Sequence, residues 1–97
     1  MNIQIQNLEN SVLVTLNGSF DTASAIHAES RLLGIGPTDI TMDCTGVDYI
    51  SSSALRLFLQ LVKNAHAADK KVTLRGVQPA VMEILKVTHF DRMFTIE

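Results

Sequence analysis

The chain has 97 residues, of which 46% are hydrophobic and 19% are charged, and its formal net charge is −2 at pH 7. This length fits one domain, and the composition is typical of a compact globular protein, not of a disordered one. The slightly acidic balance argues against nucleic-acid binding, because nucleic-acid-binding domains normally present a basic patch. A single cysteine, Cys44, excludes an internal disulfide bond and a cysteine metal cluster.

The first residues, Met1 to Gln6, alternate between apolar and polar side chains and lack the apolar centre of a signal peptide. No apolar run reaches the ~18 residues that indicate a membrane-spanning helix. We therefore expect a cytoplasmic protein with no segment inserted in a membrane.

Two strands are predicted at the N-terminus. Apolar and polar side chains alternate around Ile3 and Ile5 and again from Ser11 to Leu16, which is typical of half-buried strands. A turn at Glu9-Asn10 joins them, and Asn17-Gly18 ends the second strand. The two strands are expected to form an antiparallel pair at the edge of a sheet.

A first helix is predicted from Thr22 to Leu33, with Asp21 as its N-cap residue. Ile26, Ser30 and Leu33 share one face of this helix, and Ala23 can join it.

A short strand from Ile40 to Asp43 and a long second helix from Ser53 to Asp69 are predicted next. Two apolar rows run along this helix, and the second row contains Leu57 and Leu61. Together the rows are too wide for a helix that lies against water, so most of the helix must be covered.

The remaining elements are a strand from Val72 to Arg75, a third helix that begins near Pro79 and a last strand from Phe90 to Ile96. Proline suits the first turn of a helix because the missing N–H would have no partner there. The order β-β-α-β-α-β-α-β predicts a single α/β domain over residues 1–97, with a mostly parallel sheet and helices packed on it.

Three serines, Ser51 to Ser53, stand where the second helix begins. The unpaired N–H groups of a helix start can hold a cap, an anion or a phosphate. Asp21 follows the second predicted strand, and Asp43 is at the end of the third. Because strand ends and helix starts meet on one rim of a parallel sheet, we expect the serine hydroxyls to lie near one or both carboxylates.

These residues also have purely structural interpretations. Capping explains one serine, and Asp21 can be only a cap and Asp43 only a turn-former. A catalytic serine would need a base, but His27 and His66 fall inside predicted helices and His89 falls near a distant helix end. The chain has no Gly-x-Ser-x-Gly turn, no metal-ligand spacing and no glycine-rich phosphate loop. We therefore expect no catalytic site, no metal and no cofactor.

Several segments stand in an order and spacing that resemble the STAS domain, and more narrowly the anti-sigma-factor antagonists of bacteria. The resemblance covers almost the whole chain. It rests on Gly18-Ser19-Phe20-Asp21, Ile40 to Val47, Tyr49 to Leu55, Val77 to Val81 and Leu85 to Phe94.

This resemblance implies the fold predicted above and a protein that is not an enzyme. Such antagonists bind an anti-sigma factor that is also a serine kinase, and so release the sigma factor. The kinase phosphorylates a serine at the start of the second helix, the antagonist then dissociates, and a PP2C-type phosphatase resets the cycle.

The family's pattern Asp-Ser-Ser/Thr-Gly falls on Ser51-Ser52-Ser53-Ala54. The resemblance therefore implies Ser52 as the phosphorylated residue, with Ser51 and Ser53 as partner contacts and alternative acceptors. Two positions depart from the pattern, since Ser51 replaces the acidic residue and Ala54 replaces the glycine.

Asp21 and Asp43 match acidic positions of the family, which implies that they contact the partner or shape the site. We expect the partner surface to extend over an exposed side of the second helix, with Leu57 and Leu61, and onto Met82 of the third helix. The same apolar residues are equally compatible with core positions or an ordinary surface.

A second function is compatible with the resemblance. Small single-domain STAS proteins also occur as regulatory subunits of ATP-binding-cassette complexes that transport lipids, where they dock on the ATPase. The intact row of serines favours the phosphorylation switch.

Overall fold

Strands and helices alternate along the chain in the computed structural model, which describes residues 1–97. The strands are β1 (Asn2–Asn7), β2 (Ser11–Phe20), β3 (Asp39–Ile50), β4 (Val72–Arg75) and β5 (Thr95–Ile96). The helices are α1 (Thr22–Leu33), α2 (Ser52–Ala67) and α3 (Pro79–Val87). This order confirms the predicted α/β fold.

The five strands form one mixed sheet in the order β1-β2-β3-β4-β5. β1 pairs with β2 in the antiparallel sense, and the other neighbouring strands pair in the parallel sense. Every crossover moves one strand in the same direction, so connections of the usual right hand place all three helices on one face of the sheet.

One hydrophobic cluster of 24 buried residues fills the space between the sheet and the helices. Phe58 of α2 lies at an aromatic junction within it: its ring centroid is 5.5 Å from that of Phe20 and 6.3 Å from that of Phe94, both in edge-on geometry. The cluster therefore links β2, α2 and the C-terminal segment into one core.

The second apolar row of α2 belongs to this core. Leu57 is 6% exposed and Leu61 is 2% exposed, so the expectation that they lie on a free surface is wrong. The cause is α1, because Leu33 of α1 lines one cleft with Leu57 and another with Leu61. Met82 is half-buried and packs against the same core, so only part of its side chain is free for a partner.

Two strands run further than their apolar alternation predicts. β2 continues through Asn17-Gly18 to Phe20, and β3 continues past Asp43 to Ile50. The pairing survives because it shifts register between Thr15 and Asn17 and again between Gly18 and Ser19. Gly18 has φ of +112°, a conformation that side chains rarely adopt, so the residue that was expected to end the strand instead permits its irregular continuation.

The C-terminal segment also differs from its prediction. In place of the expected strand from Phe90 to Ile96, Phe90–Arg92 form a 3₁₀ turn, and only Thr95–Ile96 pairs with β4. His89 precedes the turn with φ of +62°, which redirects the chain out of α3.

Candidate functional site

The starts of α1 and α2 lie side by side on one rim of the sheet. Phe20 and Ile50, the last residues of β2 and β3, are paired, and the backbone N–H of Ser51 donates to the carbonyl oxygen of Phe20 at 2.8 Å. Asp21 and Ser51 follow these two residues directly. Two helix N-termini, each with unpaired backbone N–H groups and positive potential, therefore meet beside the serines.

The three serine side chains have different environments. Ser51 is buried and its Oγ accepts a hydrogen bond from the backbone N–H of Ala54 at 3.1 Å, so it is the N-cap of α2. Ser52 is the first residue of the helix and is exposed, and its hydroxyl makes no hydrogen bond within the chain. Ser53 is half-buried beside α1. Only Ser52 combines exposure with an unengaged hydroxyl.

Capping by Ser51 should be measurable as stability. Ser51→Ala is expected to lower the free energy of unfolding by about 1 kcal/mol, because the N–H of Ala54 loses its acceptor. Ser53→Ala is the matched control, since the Ser53 hydroxyl makes no hydrogen bond, and it should change stability by at most about 0.5 kcal/mol. Urea unfolding of both variants measures the difference, and equal losses would contradict the assignment of the cap.

Asp21 is the N-cap of α1, as the sequence predicted. Its Oδ1 accepts a hydrogen bond from the backbone N–H of Ser24 at 2.8 Å. The backbone and then the hydroxyl of Ser24 hold the pKa of Asp21 below its ordinary value of 3.8. A charged carboxylate therefore stands at this rim at neutral pH, one strand away from the start of α2.

Asp43 lies elsewhere, so of the two carboxylates expected near the serines only Asp21 stands beside them. Asp43 pairs with Thr15, whereas Ile50 pairs with Phe20. At about 3.3 Å per residue, this places Asp43 on the order of 15 Å from the rim. The unpredicted extension of β3 is what separates them.

The contacts of Asp43 explain its position as part of the irregular strand. Its Oδ1 accepts hydrogen bonds from the hydroxyl of Thr45 at 2.7 Å and from the backbone N–H of Thr45 at 3.0 Å. Arg75 lies 3.4 Å from its other oxygen. The Thr45 hydroxyl, the Thr45 backbone and Arg75 together lower the pKa of Asp43.

A cleft between α1 and α2 opens next to the serines and has a volume of about 280 Å³. Ser53 is among its lining residues, and Glu29 and Arg56 contribute one negative and one positive charge to the lining. Ile26 also lines this cleft and is 68% exposed. Ile26 is thus an exposed apolar side chain of α1 that lies beside the start of α2.

Sequence reasoning did not single out Ile26 as a site residue, because it only grouped this residue with Ser30 and Leu33 on one face of α1. The buried residues are Ala25, Ala28 and Leu32. Their spacing of three and four residues is the sequence signal that marks the buried face of α1. Two of the three are alanines, so this signal is weak beside the large side chain of Ile26. Tyr49, immediately before Ile50, is a second large side chain exposed near this rim.

None of the three histidines accompanies the serines. His27 lines a groove between β1 and α1, His66 stands near the C-terminal end of α2, and His89 follows α3. No group of three or more His, Cys, Asp or Glu side chains is placed to hold a metal ion. No helix is both long enough and apolar enough to cross a membrane.

Cys44 is buried in β3, where loss of solvent and the neighbouring charge of Asp43 raise the pKa of its thiol to about 12. It behaves as a small core residue, as its position in an apolar strand predicted.

Comparison with known proteins agrees with this architecture. The family model of the STAS domain matches residues 2–97. A protein of Bordetella bronchiseptica with the provisional name anti-sigma factor antagonist BtrV is 24% identical over an alignment of 99 positions, which covers 99% of this chain and 85% of BtrV.

Two solved proteins share the fold at low sequence identity. A Thermotoga maritima protein, provisionally described as an anti-sigma factor antagonist, superimposes with a TM-score of 0.87 at 17% identity, covering 97% of this chain and 84% of that one. SpoIIAA, a Bacillus cell fate determinant solved in its phosphorylated form, gives 0.77 at 14% identity, covering 99% and 91% of the two chains. With a family match over residues 2–97 and a relative that carries the antagonist name, the chain belongs to the STAS domain family.

Proposed function

We propose that this chain is an anti-sigma-factor antagonist: it binds an anti-sigma factor that is also a serine kinase, and phosphorylation of Ser52 ends the binding. The observation that carries the proposal is the state of Ser52, an exposed hydroxyl without a hydrogen bond at the first position of α2. This residue falls at the phosphorylated position of the family's pattern. A STAS relative, SpoIIAA, has been solved in phosphorylated and unphosphorylated forms.

A phosphate at Ser52 is compatible with the fold. It would carry a charge of about −1.5 to −2, which the N-terminus of a helix favours. Arg56 stands one turn later on the same side of α2, is exposed and forms no ion pair. An anion at Ser52 is therefore within the reach of an i,i+4 pair, and we expect modification to leave the domain folded.

The same phosphate would disfavour a partner that covers the rim of the sheet at Ser52. Asp21 is ionised there, and Asp48 is exposed close by, where it accepts a hydrogen bond from the Ser19 hydroxyl at 2.9 Å. A partner that packs over Ser52 would have to remove water from the phosphate next to these negative charges, which is costly. Modification thus blocks the contact surface without refolding the domain.

We assign the partner surface to the rim and the adjoining cleft. Ser51 and Ser53 shape the start of α2, Asp21 supplies charge, and Ile26 supplies the apolar contact that Leu57 and Leu61 cannot supply because they are buried. Such a surface has the composition of an interface, with an apolar centre and a polar rim.

The experiment that tests this function is phosphorylation by a cognate kinase-type anti-sigma factor. We expect mass spectrometry to find one phosphate, on Ser52, and Ser52→Ala to prevent the modification. Ser51→Ala is the matched control and should still be phosphorylated. A phosphate on Ser51 or Ser53, or no phosphate on any of the three serines, would contradict the assignment.

A pull-down from the native cell identifies the class of partner. The proposal expects recovery of the kinase, with a PP2C-type phosphatase removing the phosphate from Ser52. Recovery of a transport ATPase alone would instead support the regulatory subunit of a lipid-transport complex.

A further inference from the structure

We propose that β1 is a dimerisation edge, and that two copies of this chain pair their β1 strands in the antiparallel sense to form one continuous sheet. β1 is the outermost strand on its side of the sheet, so one row of its backbone N–H and C=O groups has no strand partner. Proteins that remain monomeric usually protect such an edge with charged residues, proline, a bulge or a very short strand.

β1 has none of these protections. Its sequence from Asn2 to Asn7 contains no charged residue and no proline, and its pairing with β2 is regular over all six residues. The other edge of the sheet differs, because β5 has only two residues, Thr95–Ile96, and is followed by an acidic residue, Glu97. The two edges therefore have opposite properties, and only β1 offers a long, regular strand.

The side chains of β1 are complementary to those of β1 in a second copy of the chain. In an antiparallel pair with the two-fold axis at Gln4, each Gln4 faces the Gln4 of the other copy, and Asn2 faces Gln6. On the helix-bearing face, Ile3 then lies opposite Ile5. Apolar side chains meet apolar ones and amides meet amides, with no charge to repel. A two-fold axis at Ile5 would instead place Ile3 opposite Asn7.

Apolar surface along the strand adds a driving force. Ile3 and Ile5 are only half-buried, and Met1 and Leu8 are exposed at the two ends of β1. A groove of about 240 Å³ lies between β1 and α1, with Met1 and Ile3 in its lining. Ile5 of the second copy, opposite Ile3, would extend the apolar wall of this groove and remove both side chains from water.

The dimer leaves the serine rim open. Ser52 follows β3, and β2 separates β3 from β1. The pairing therefore does not depend on phosphorylation, and its test on unmodified protein can fail or succeed whatever the fate of Ser52.

The test is the solution mass of purified protein, measured by light scattering across a concentration series up to the submillimolar range. The wild-type mass should rise from 10.6 kDa toward twice that value. Gln4→Lys and Gln4→Glu should each remain monomeric, because each places like charges opposite one another. An equal mixture of the two variants should recover the doubled mass, since lysine then faces glutamate.

Thr95→Lys is the matched control, because it places the same charge on the β5 edge, and it should dimerise like the wild type. The proposal is overturned by a wild-type mass that stays at 10.6 kDa throughout, by a Gln4→Lys variant that still dimerises, by a mixture that stays monomeric or by a Thr95→Lys variant that is monomeric.

Discussion

Ser52→Glu is expected to weaken binding to the kinase partner by at least about 30-fold, which corresponds to about 2 kcal/mol. The cause is a permanent negative charge at the first position of α2, where the partner is proposed to cover the rim beside the ionised Asp21. Placing like charges side by side in an interface costs several kcal/mol. Titration calorimetry with the purified partner measures the change.

The fold itself should tolerate this substitution. An acidic residue in the first turn of a helix is favoured by the helix dipole, and α2 has no acidic residue there. The thermal midpoint of Ser52→Glu is therefore expected to equal or slightly exceed that of the wild type. Part of the lost affinity should return at high salt, because the repulsion at the rim is screened.

Ala80→Glu is the matched control. Ala80 is exposed in the first turn of α3. The substitution adds the same charge at another helix start, away from the cleft between α1 and α2. If both glutamate variants lose affinity equally, net charge and not the position of Ser52 is responsible, and the proposed switch is wrong.

The order of elements could be predicted from the sequence because the two periodicities are clear. Polar and apolar residues alternate in β1 and β2, whereas apolar rows three and four residues apart mark α2. Asp21 could be recognised as a cap because Asp followed by a helical pattern is a local signal. Both the periodicity and the cap are set by residues close together in the sequence, so the sequence alone can predict them.

The strand ends and the site geometry could not be predicted in the same way. The continuation of β2 through Gly18 depends on register shifts against β3, a strand far away in sequence. The extension of β3 that accompanies it, from Asp43 to Ile50, separates Asp43 from the serines. Likewise, the helical pattern of α2 shows how wide its apolar sector is, but only the position of α1 decides that Leu57 and Leu61 are covered.

At the serine site, too, some features follow from the local sequence and others only from the tertiary structure. A helix start with three hydroxyls was evident from the sequence, and the family resemblance selected Ser52 among them. The structure adds that Ser51 is engaged as a cap and that Ser53 is half-buried beside α1. What remains exposed and unengaged is Ser52. Structure therefore supports the resemblance by a separate route, through hydrogen bonding and burial.

A second large effect on partner binding is expected at Ile26, which replaces the buried Leu57 and Leu61 in the proposed partner surface. Ile26→Ala is expected to weaken binding to the kinase partner about 5-fold or more, because a buried aliphatic anchor at the centre of an interface contributes at least about 1 kcal/mol. Ile26 is 68% exposed in the free chain, so stability should change by no more than about 0.5 kcal/mol. The loss should appear mainly as faster dissociation, which surface plasmon resonance measures directly.

Val87→Ala separates a specific anchor from general surface hydrophobicity. Val87 is 74% exposed at the end of α3 and is therefore an equally accessible aliphatic residue on a different helix. Its truncation should change affinity less than twofold. If Val87→Ala weakens binding as much as Ile26→Ala, or if neither changes it, the partner does not use the cleft between α1 and α2. Phosphorylation of Ser52 by the kinase would still be possible in that case, because it requires only the exposed hydroxyl, so the two measurements distinguish where the partner sits from whether the switch exists.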